Sequence, residues 1–188
     1  KNSIEVAQVA YDEGITWMGI HGRTRAQGYS GQADWDYIAE VKRNSKIPIL
    51  GNGDITSAEI AVKRMHETRC DGVMIGRGCL KNPWIFRESM NLYFKKNYDT
   101  DRNFLSLFQT MRQEFEEFHD PRVSGLQLKK FASWYSAGYP GAAKFRKSIF
   151  QTKSSEDLLP TILDYFSSLG DIHQTDTSSE PFLMGGHG

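Results

Sequence analysis

Residues 47–55, Ile47-Pro48-Ile49-Leu50-Gly51-Asn52-Gly53-Asp54-Ile55, decide the fold class. The aliphatic run ending at Leu50 reads as a buried strand, and Gly51 to Asp54 as the tight loop into which it empties. Thr56 or Ser57 is placed to cap a following helix, in which Ile60, Ala61, Val62 and Met65 recur at helical spacing. A strand, a glycine-rich loop with open backbone amides and a capped helix form an anion-holding arrangement. The glycines allow close approach of backbone to a ligand, and Asn52 and Asp54 set polar groups at the strand's carboxyl end.

The same pattern occurs on either side. Downstream, Cys70-Asp71-Gly72-Val73-Met74-Ile75 runs into Gly76-Arg77-Gly78, whose arginine offers a planar fork of donors suited to phosphate. Upstream, an amphipathic helix with Asn2 or Ser3 at its cap and Gly14 at its end precedes the strand Ile15–Ile20, which delivers His21-Gly22-Arg23-Thr24-Arg25. A single glycine loop is usually turn punctuation. Three in series, with His, Asn/Asp and Arg at matching places, predict successive βα units of a parallel α/β protein whose site lies at the strands' carboxyl ends. If the last two strands are the final pair of a barrel, Gly53, Asp54, Gly76 and Arg77 cradle a phosphate. Arg23 and Arg25 then stand at the same mouth, as solvated charges or as contacts to an RNA phosphate. Tyr29, in the polar loop 27–34, either packs or stacks on a base. Beyond that loop, Trp35, Ile38, Ala39 and Val41 mark a helix face. Pro83 is expected to open the helix that follows the last strand.

Composition bounds the function. With 23 basic and 23 acidic residues among 188, the formal charge is zero, and no apolar run approaches the ~20 residues of a membrane span. Cys70 and Cys79 suit reduced, structural thiols of a cytoplasmic protein. Neither His173 nor His187 has ligands beside it, so no metal is assigned. Residues 95–103 read as a polar linker. Beyond it, Phe104, Leu107, Phe108, Met111, Phe115 and Phe118 begin an all-helical region. Pro121 ends or follows that helix, and further helices are expected around 126–135, 145–150 and 158–169. The division predicted is therefore 1–98, an α/β part; 99–170, a small helical bundle; and 171–188, a disordered tail.

One run in the helical part is lopsided. From Arg122 to Lys153 there are seven basic residues, Arg122, Lys129, Lys130, Lys144, Arg146, Lys147 and Lys153, and no acid. A polyanion responds to local charge within a Debye length of about 8–10 Å. Taken alone, the run is a solvated helix face whose Trp134 and Tyr135 belong to the core; the competing reading is an RNA-backbone footprint.

The strings His21-Gly-Arg-Thr-Arg25, Gly51-Asn-Gly-Asp-Ile55, and Met74-Ile-Gly-Arg-Gly78 followed by Asn82-Pro-Trp-Ile-Phe86 resemble the tRNA-dihydrouridine synthase family, in its bacterial branch, from the first helix to about Leu169. The resemblance implies the carboxyl-terminal part of a (β/α)8 TIM barrel, about three βα units followed by the helical bundle. It also implies FMN-dependent reduction of the C5–C6 bond of a uridine in tRNA, with NADPH as reductant. His21, Asn52, Gly53, Asp54, Gly76 and Arg77 become flavin contacts, and Arg23, Arg25, Lys129, Lys130, Arg146 and Lys147 become RNA contacts. No catalytic residue is assigned here: the proton-donating cysteine is expected upstream, with the five other βα units. This chain alone is expected neither to reduce uridine nor to hold flavin tightly, and the full-length protein to be monomeric. Two alternatives remain: another FMN barrel of the dihydroorotate dehydrogenase kind, or a tRNA-binding module without catalysis.

Overall fold

The computed structural model describes residues 1–96 and 101–170 together with 172, 174, 175 and 177. The chain divides into two compact units, Lys1–Thr100 and Asp101–Gly188. The expected linker crosses that division; its residues 97–100, and nearly all of the expected tail with His173 and His187, lie outside the described residues.

In the first unit the order is α1 (Ser3–Asp12), β1 (Met18–His21), α2 (Trp35–Asn44), β2 (Ile49–Asn52), α3 (Ala58–Thr68), β3 (Gly72–Met74), a 3-10 turn (Arg77–Leu80) and α4 (Ile85–Phe94). The three strands form one parallel sheet in the order β1-β2-β3. Side chains alternate along a strand, and the register makes that alternation coherent across the sheet. Ile20, Gly51 and Val73 form one row, and His21, Asn52 and Met74 the next, on the opposite face.

The helices take one of these faces. Ile20 and Ile49 lie in a core with Ala7, Trp35, Ile38, Val41, Ile55 and Ala61. The helical spacing of Trp35, Ile38, Ala39 and Val41 therefore reads correctly, since all four are buried. Gly51 is required by that packing, because a Cβ there would stand 2.5 Å from the Trp35 ring. On the other face Gly19, His21 and Met74 are exposed.

Local chemistry sets the boundaries. Ser57 caps α3, accepting from the Ile60 N–H at 3.3 Å, so it rather than Thr56 is the cap. Asp34 caps α2 through the Tyr37 N–H. Asn2 precedes α1 without a side-chain cap bond. Pro83 does not open α4: that helix starts at Ile85, with Trp84 as its N-cap and the Asn82 side chain accepting the Trp84 N–H.

The second unit consists of α5 (Phe104–Phe118), α6 (Pro121–Tyr135), α7 (Ala142–Gln151) and α8 (Ser155–Ser168). Pro121 belongs to the start of α6, where the missing N–H costs nothing, and Asp120 caps the turn. α8 begins a turn earlier than the apolar spacing suggests, because Ser154 accepts from Glu156 and Asp157, and it continues through Pro160. Phe108, Leu128, Tyr135, Ile149, Leu158, Ile162 and Phe166 form the core, with the Phe104 and Phe166 rings stacked 4.2 Å apart. No helix among the described residues is long and apolar enough to cross a membrane.

Candidate functional site

The parallel register puts the last residues of the strands level, His21 beside Asn52 beside Met74. The loops leaving that edge carry Arg23, Asp54, Gly76 and Arg77, so the sheet brings the residues of its three loops to one rim.

His21 is exposed, and its ring is oriented by the chain itself. The Arg23 backbone N–H donates to Nδ1 at 3.0 Å. Nδ1 is thus an acceptor, which leaves Nε2 as the ring nitrogen able to donate. Asn52 is half-buried, and its amide nitrogen lies 3.2 Å from the Met74 sulfur.

Arg23 and Asp54 form an internal clamp. The Arg23 side chain, only 6% exposed, donates to Asp54 Oδ1 at 2.7 Å, and to the Ser30 and Gly31 carbonyls at 3.2 and 2.6 Å. The other Asp54 oxygen accepts the Ala33 N–H at 2.8 Å. Burial alone would push the Asp54 carboxyl up. The hydrogen bonds from Arg23 and Ala33, with the charges of Arg23 and Arg77, outweigh it and hold the pKa below the ordinary carboxylate range. Asp54 stands at φ +52, in the left-handed region that Asp tolerates better than most residues. The expectation for Arg23 was a solvated or RNA-contacting charge at the mouth; its head group is instead turned inward onto loop 28–33 and Asp54.

Gly53 is fixed by the same clamp. Its φ is +137, and a Cβ on it would meet that of Ala33 at 2.4 Å. Its carbonyl accepts the Trp35 indole N–H at 3.0 Å. Gly78 is likewise demanded by its own surroundings, with the Ile55 carbonyl oxygen 2.5 Å from a Cβ placed there. Gly76 differs: it is exposed, and an added Cβ would meet nothing within 4 Å. Beside it Arg77 is exposed, its guanidinium 4.4 Å from the centroid of the Tyr29 ring, a cation–π arrangement. Tyr29 is 59% exposed. Arg25 is also exposed. Burial pushes both the Cys70 and Cys79 thiols up, which keeps them protonated at neutral pH.

In the helical unit Lys147 is exposed, and the Lys130 ammonium lies over the Trp134 ring at 4.9 Å. Lys129 donates to the Thr152 carbonyl at 2.7 Å, and an Arg146 nitrogen is 3.5 Å from the Ser136 hydroxyl. Trp134 and Tyr135, interleaved with these charges in sequence, are 6% and 5% exposed. They are core residues, and their faces are not open to a base. Among the described residues no cluster of His, Cys, Asp and Glu is arranged for a metal.

Sequence reasoning did not foresee the Ala33 N–H, the Trp35 indole bond to Gly53 or the Tyr29–Arg77 stack. Each depends on loop 22–34 folding back over the β2 turn, and spacing along the chain carries no signal for that.

Comparison with known proteins bears on the family of the chain. Residues 1–169 match the family described as "Dihydrouridine synthase (Dus)". A probable tRNA-dihydrouridine synthase 1 from Synechocystis is 39% identical over 160 residues, 83% of this chain and 44% of that protein. A probable tRNA-dihydrouridine synthase from Rickettsia conorii is 31% identical over 173 residues, 90% of this chain and 52% of the relative. The tRNA-dihydrouridine synthase B of Xanthomonas axonopodis is 32% identical over 172 residues, again 90% and 52%. The chain thus spans about half the length of the curated relatives it matches. With the family's match running from the first residue to the end of the last helix, over both the strand-tip rim and the helical unit, this chain belongs to the dihydrouridine synthase family.

Proposed function

We propose that this chain supplies the flavin-phosphate rim and the RNA-holding helical unit of an FMN-dependent tRNA-dihydrouridine synthase that uses NADPH as reductant. The observation that carries the reading is the level row His21–Asn52–Met74 with Arg77 and Gly76 beside it. The three strands take the place of the last three of a (β/α)8 barrel. On this reading the face bearing His21, Asn52 and Met74 points into the barrel, and these last residues of their strands stand at its carboxyl-terminal mouth, where such barrels hold their ligands.

The residues present fit a flavin mononucleotide. Arg77 presents a fork of donors for a phosphate from a position held by the Tyr29 ring. Gly76 leaves its backbone open to close approach. His21 ends the neighbouring strand on the same rim, its ring oriented by the Arg23 amide. Asn52, Gly53 and Asp54 shape the turn, with Asp54 acting through Arg23 and Ala33 on loop 22–34. The flavin, when bound, supplies the hydride for the uracil C5–C6 bond. Arg25, Lys129, Lys130, Arg146 and Lys147 are read as contacts to the tRNA backbone, Lys129 and Arg146 with part of their donor set already directed onto their own chain.

The test is Arg77→Met, introduced into the gene carrying this chain and expressed in cells that lack their own dihydrouridine synthases. Wild type restores dihydrouridine to tRNA and retains FMN on purification; the variant loses bound FMN by at least tenfold. Retention of FMN at the wild-type level in the variant would refute the phosphate assignment. Failure of the wild type to form any dihydrouridine would refute the activity.

A further inference from the structure

The helical unit contains a cavity of about 390 Å³ between the start of α6 and the α7–α8 connection. Its size lies in the lower part of the ~300–1,000 Å³ range of small-ligand sites. Three of its nine lining residues are basic, Arg122, Lys129 and Lys153, and none is acidic. Leu126 and Leu158 supply an apolar wall, and Gly125 leaves one side of α6 without a side chain. A Cβ on Gly125 would make only an ordinary contact, 3.8 Å from Leu158, so the room there belongs to the cavity.

Of the acids nearest in sequence, Asp120 is engaged through its carboxylate, while Glu156 and Asp157 are engaged through their backbone amides. The Asp120 carboxylate accepts the Arg122 and Val123 amides as the α6 cap. Glu156 and Asp157 sit in the first turn of α8, whose amides are closed by Ser154. Neither helix end is therefore an open anion site, and the positive character comes from side chains. Among the described residues the Arg122 and Lys153 head groups have no ion-pair or hydrogen-bond partner. The Lys129 ammonium is anchored by the Thr152 carbonyl at 2.7 Å, which leaves two of its three protons for a ligand. A fixed ammonium, two unpaired cations and an apolar wall suit a phosphate carrying an organic group.

We propose that this cavity holds one phosphate–ribose step of an RNA strand, the phosphate between Arg122, Lys129 and Lys153 and the sugar against Leu126 and Leu158. RNA is favoured as the source because the cavity opens within the acid-free run from Arg122 to Lys153, which carries four further cations outside it. An extended polyanion would meet those charges; a free phosphate would not. The inference rests on the RNA reading of the helical unit and extends it: Arg122 and Lys153 join Lys129 in anchoring the backbone.

The experiment uses the full 188-residue chain, an unmodified tRNA transcript and inorganic phosphate, with affinity followed across a salt series. Each neutralised phosphate contributes roughly 0.9 to the log–log salt slope. Arg122→Gln combined with Lys153→Gln should weaken tRNA binding about tenfold and reduce that slope by about 1. Lys63→Gln, one charge removed on α3 of the first unit and far along the chain from the basic run, should leave the slope unchanged. Gly125→Leu keeps every charge and fills the cavity, and should also weaken binding while the thermal melt shows the helices intact. Wild-type binding that is unaffected by the double variant or by Gly125→Leu overturns the cavity but leaves the RNA reading standing. Absence of tRNA binding by the wild type removes both. Backbone amide shifts of Gly125 and Thr152 with inorganic phosphate but not with tRNA would identify a small-anion site and overturn the RNA assignment.

Discussion

Removal of the Asp54 carboxylate should free loop 22–34 without unfolding the sheet beneath it. In Asp54→Ala the Ala33 N–H loses the carboxylate oxygen that accepts it and Arg23 loses its ion pair, while Arg23 keeps the Ser30 and Gly31 carbonyls. A hydrogen bond to a charged group contributes about 1.5–3 kcal/mol. The Asp54 side chain is 33% exposed and Arg23 only 6%, so solvent screening from the Asp54 side moves the estimate to the lower end, about 1–2 kcal/mol. At 1.4 kcal/mol per tenfold, the Ala33 amide should exchange roughly 5- to 30-fold faster in the variant. Amide exchange read by NMR measures this directly, with amides of α2 such as Val41 as internal reference.

The pH dependence has a definite sign. The folded pKa of Asp54 is lowered relative to the unfolded value of about 3.9. Its stabilisation is therefore fully present above the unfolded pKa and is lost as pH falls through the folded one. The Ala33 protection factor should stay level from about pH 5 to 8 and fall below about pH 4, and the fall should vanish in Asp54→Ala. An Ala33 protection factor equal to wild type in the variant would show that the clamp does not hold the loop.

Two further perturbations separate close alternatives. Gly78→Ala forces a Cβ to 2.5 Å from the Ile55 carbonyl oxygen and should lower the urea midpoint by an amount equivalent to about 1–3 kcal/mol, whereas Gly76→Ala, open within 4 Å, should leave the midpoint unchanged and weaken FMN retention; the opposite ranking would refute the reading of these glycines. In the helical unit Ser124 is buried and donates to the Phe115 carbonyl at 2.9 Å, so Ser124→Ala should cost about 0.5–1.5 kcal/mol, while the buried Ser133 hydroxyl lacks a partner among the described residues and Ser133→Ala should be neutral or stabilising by up to about 1 kcal/mol in the same urea titration.

The parts of the fold that were legible in the sequence are those governed by short periods. Apolar spacing located the face of α2 through Trp35, Ile38, Ala39 and Val41, and the glycine breaks located the carboxyl ends of β1 and β3 to within a residue, whereas Gly51 and Asn52, read as loop, belong to β2 because they pair with both neighbouring strands. Boundaries moved where a capping bond decided them: Ser154 started α8 a turn before its apolar residues, and Asn82 with Trp84 set the start of α4 beyond Pro83. The direction of a charged head group was not legible. Arg23 and Arg25 stand two apart in one loop, yet Arg23 is tied to Asp54, 31 positions away, and Arg25 is exposed. That choice depends on which loops meet across parallel strands, and no local pattern encodes it. The interleaving of Lys129 and Lys130 with Trp134 and Tyr135 had the same ambiguity, resolved by burial of both rings in the core.

The glycines show why a motif of this kind supports two readings at once. In sequence, Gly51, Gly53, Gly76 and Gly78 are equivalent punctuation after two strands. In space, Gly51 is small because the Trp35 ring lies on it, Gly53 because Ala33 does, and Gly78 because the Ile55 carbonyl does. Three of the four are thus accounted for by the protein's own packing, and a ligand is not needed to explain them. Only Gly76 has open space where its side chain would be, and it adjoins the exposed Arg77. The anion-binding reading therefore rests on the β3 turn, while the β2 turn serves to build the platform. The clamp between Arg23 and Asp54 follows from the same division. A carboxylate facing a bound phosphate would repel it, and turning Asp54 onto Arg23 and Ala33 keeps that charge compensated beside Arg77.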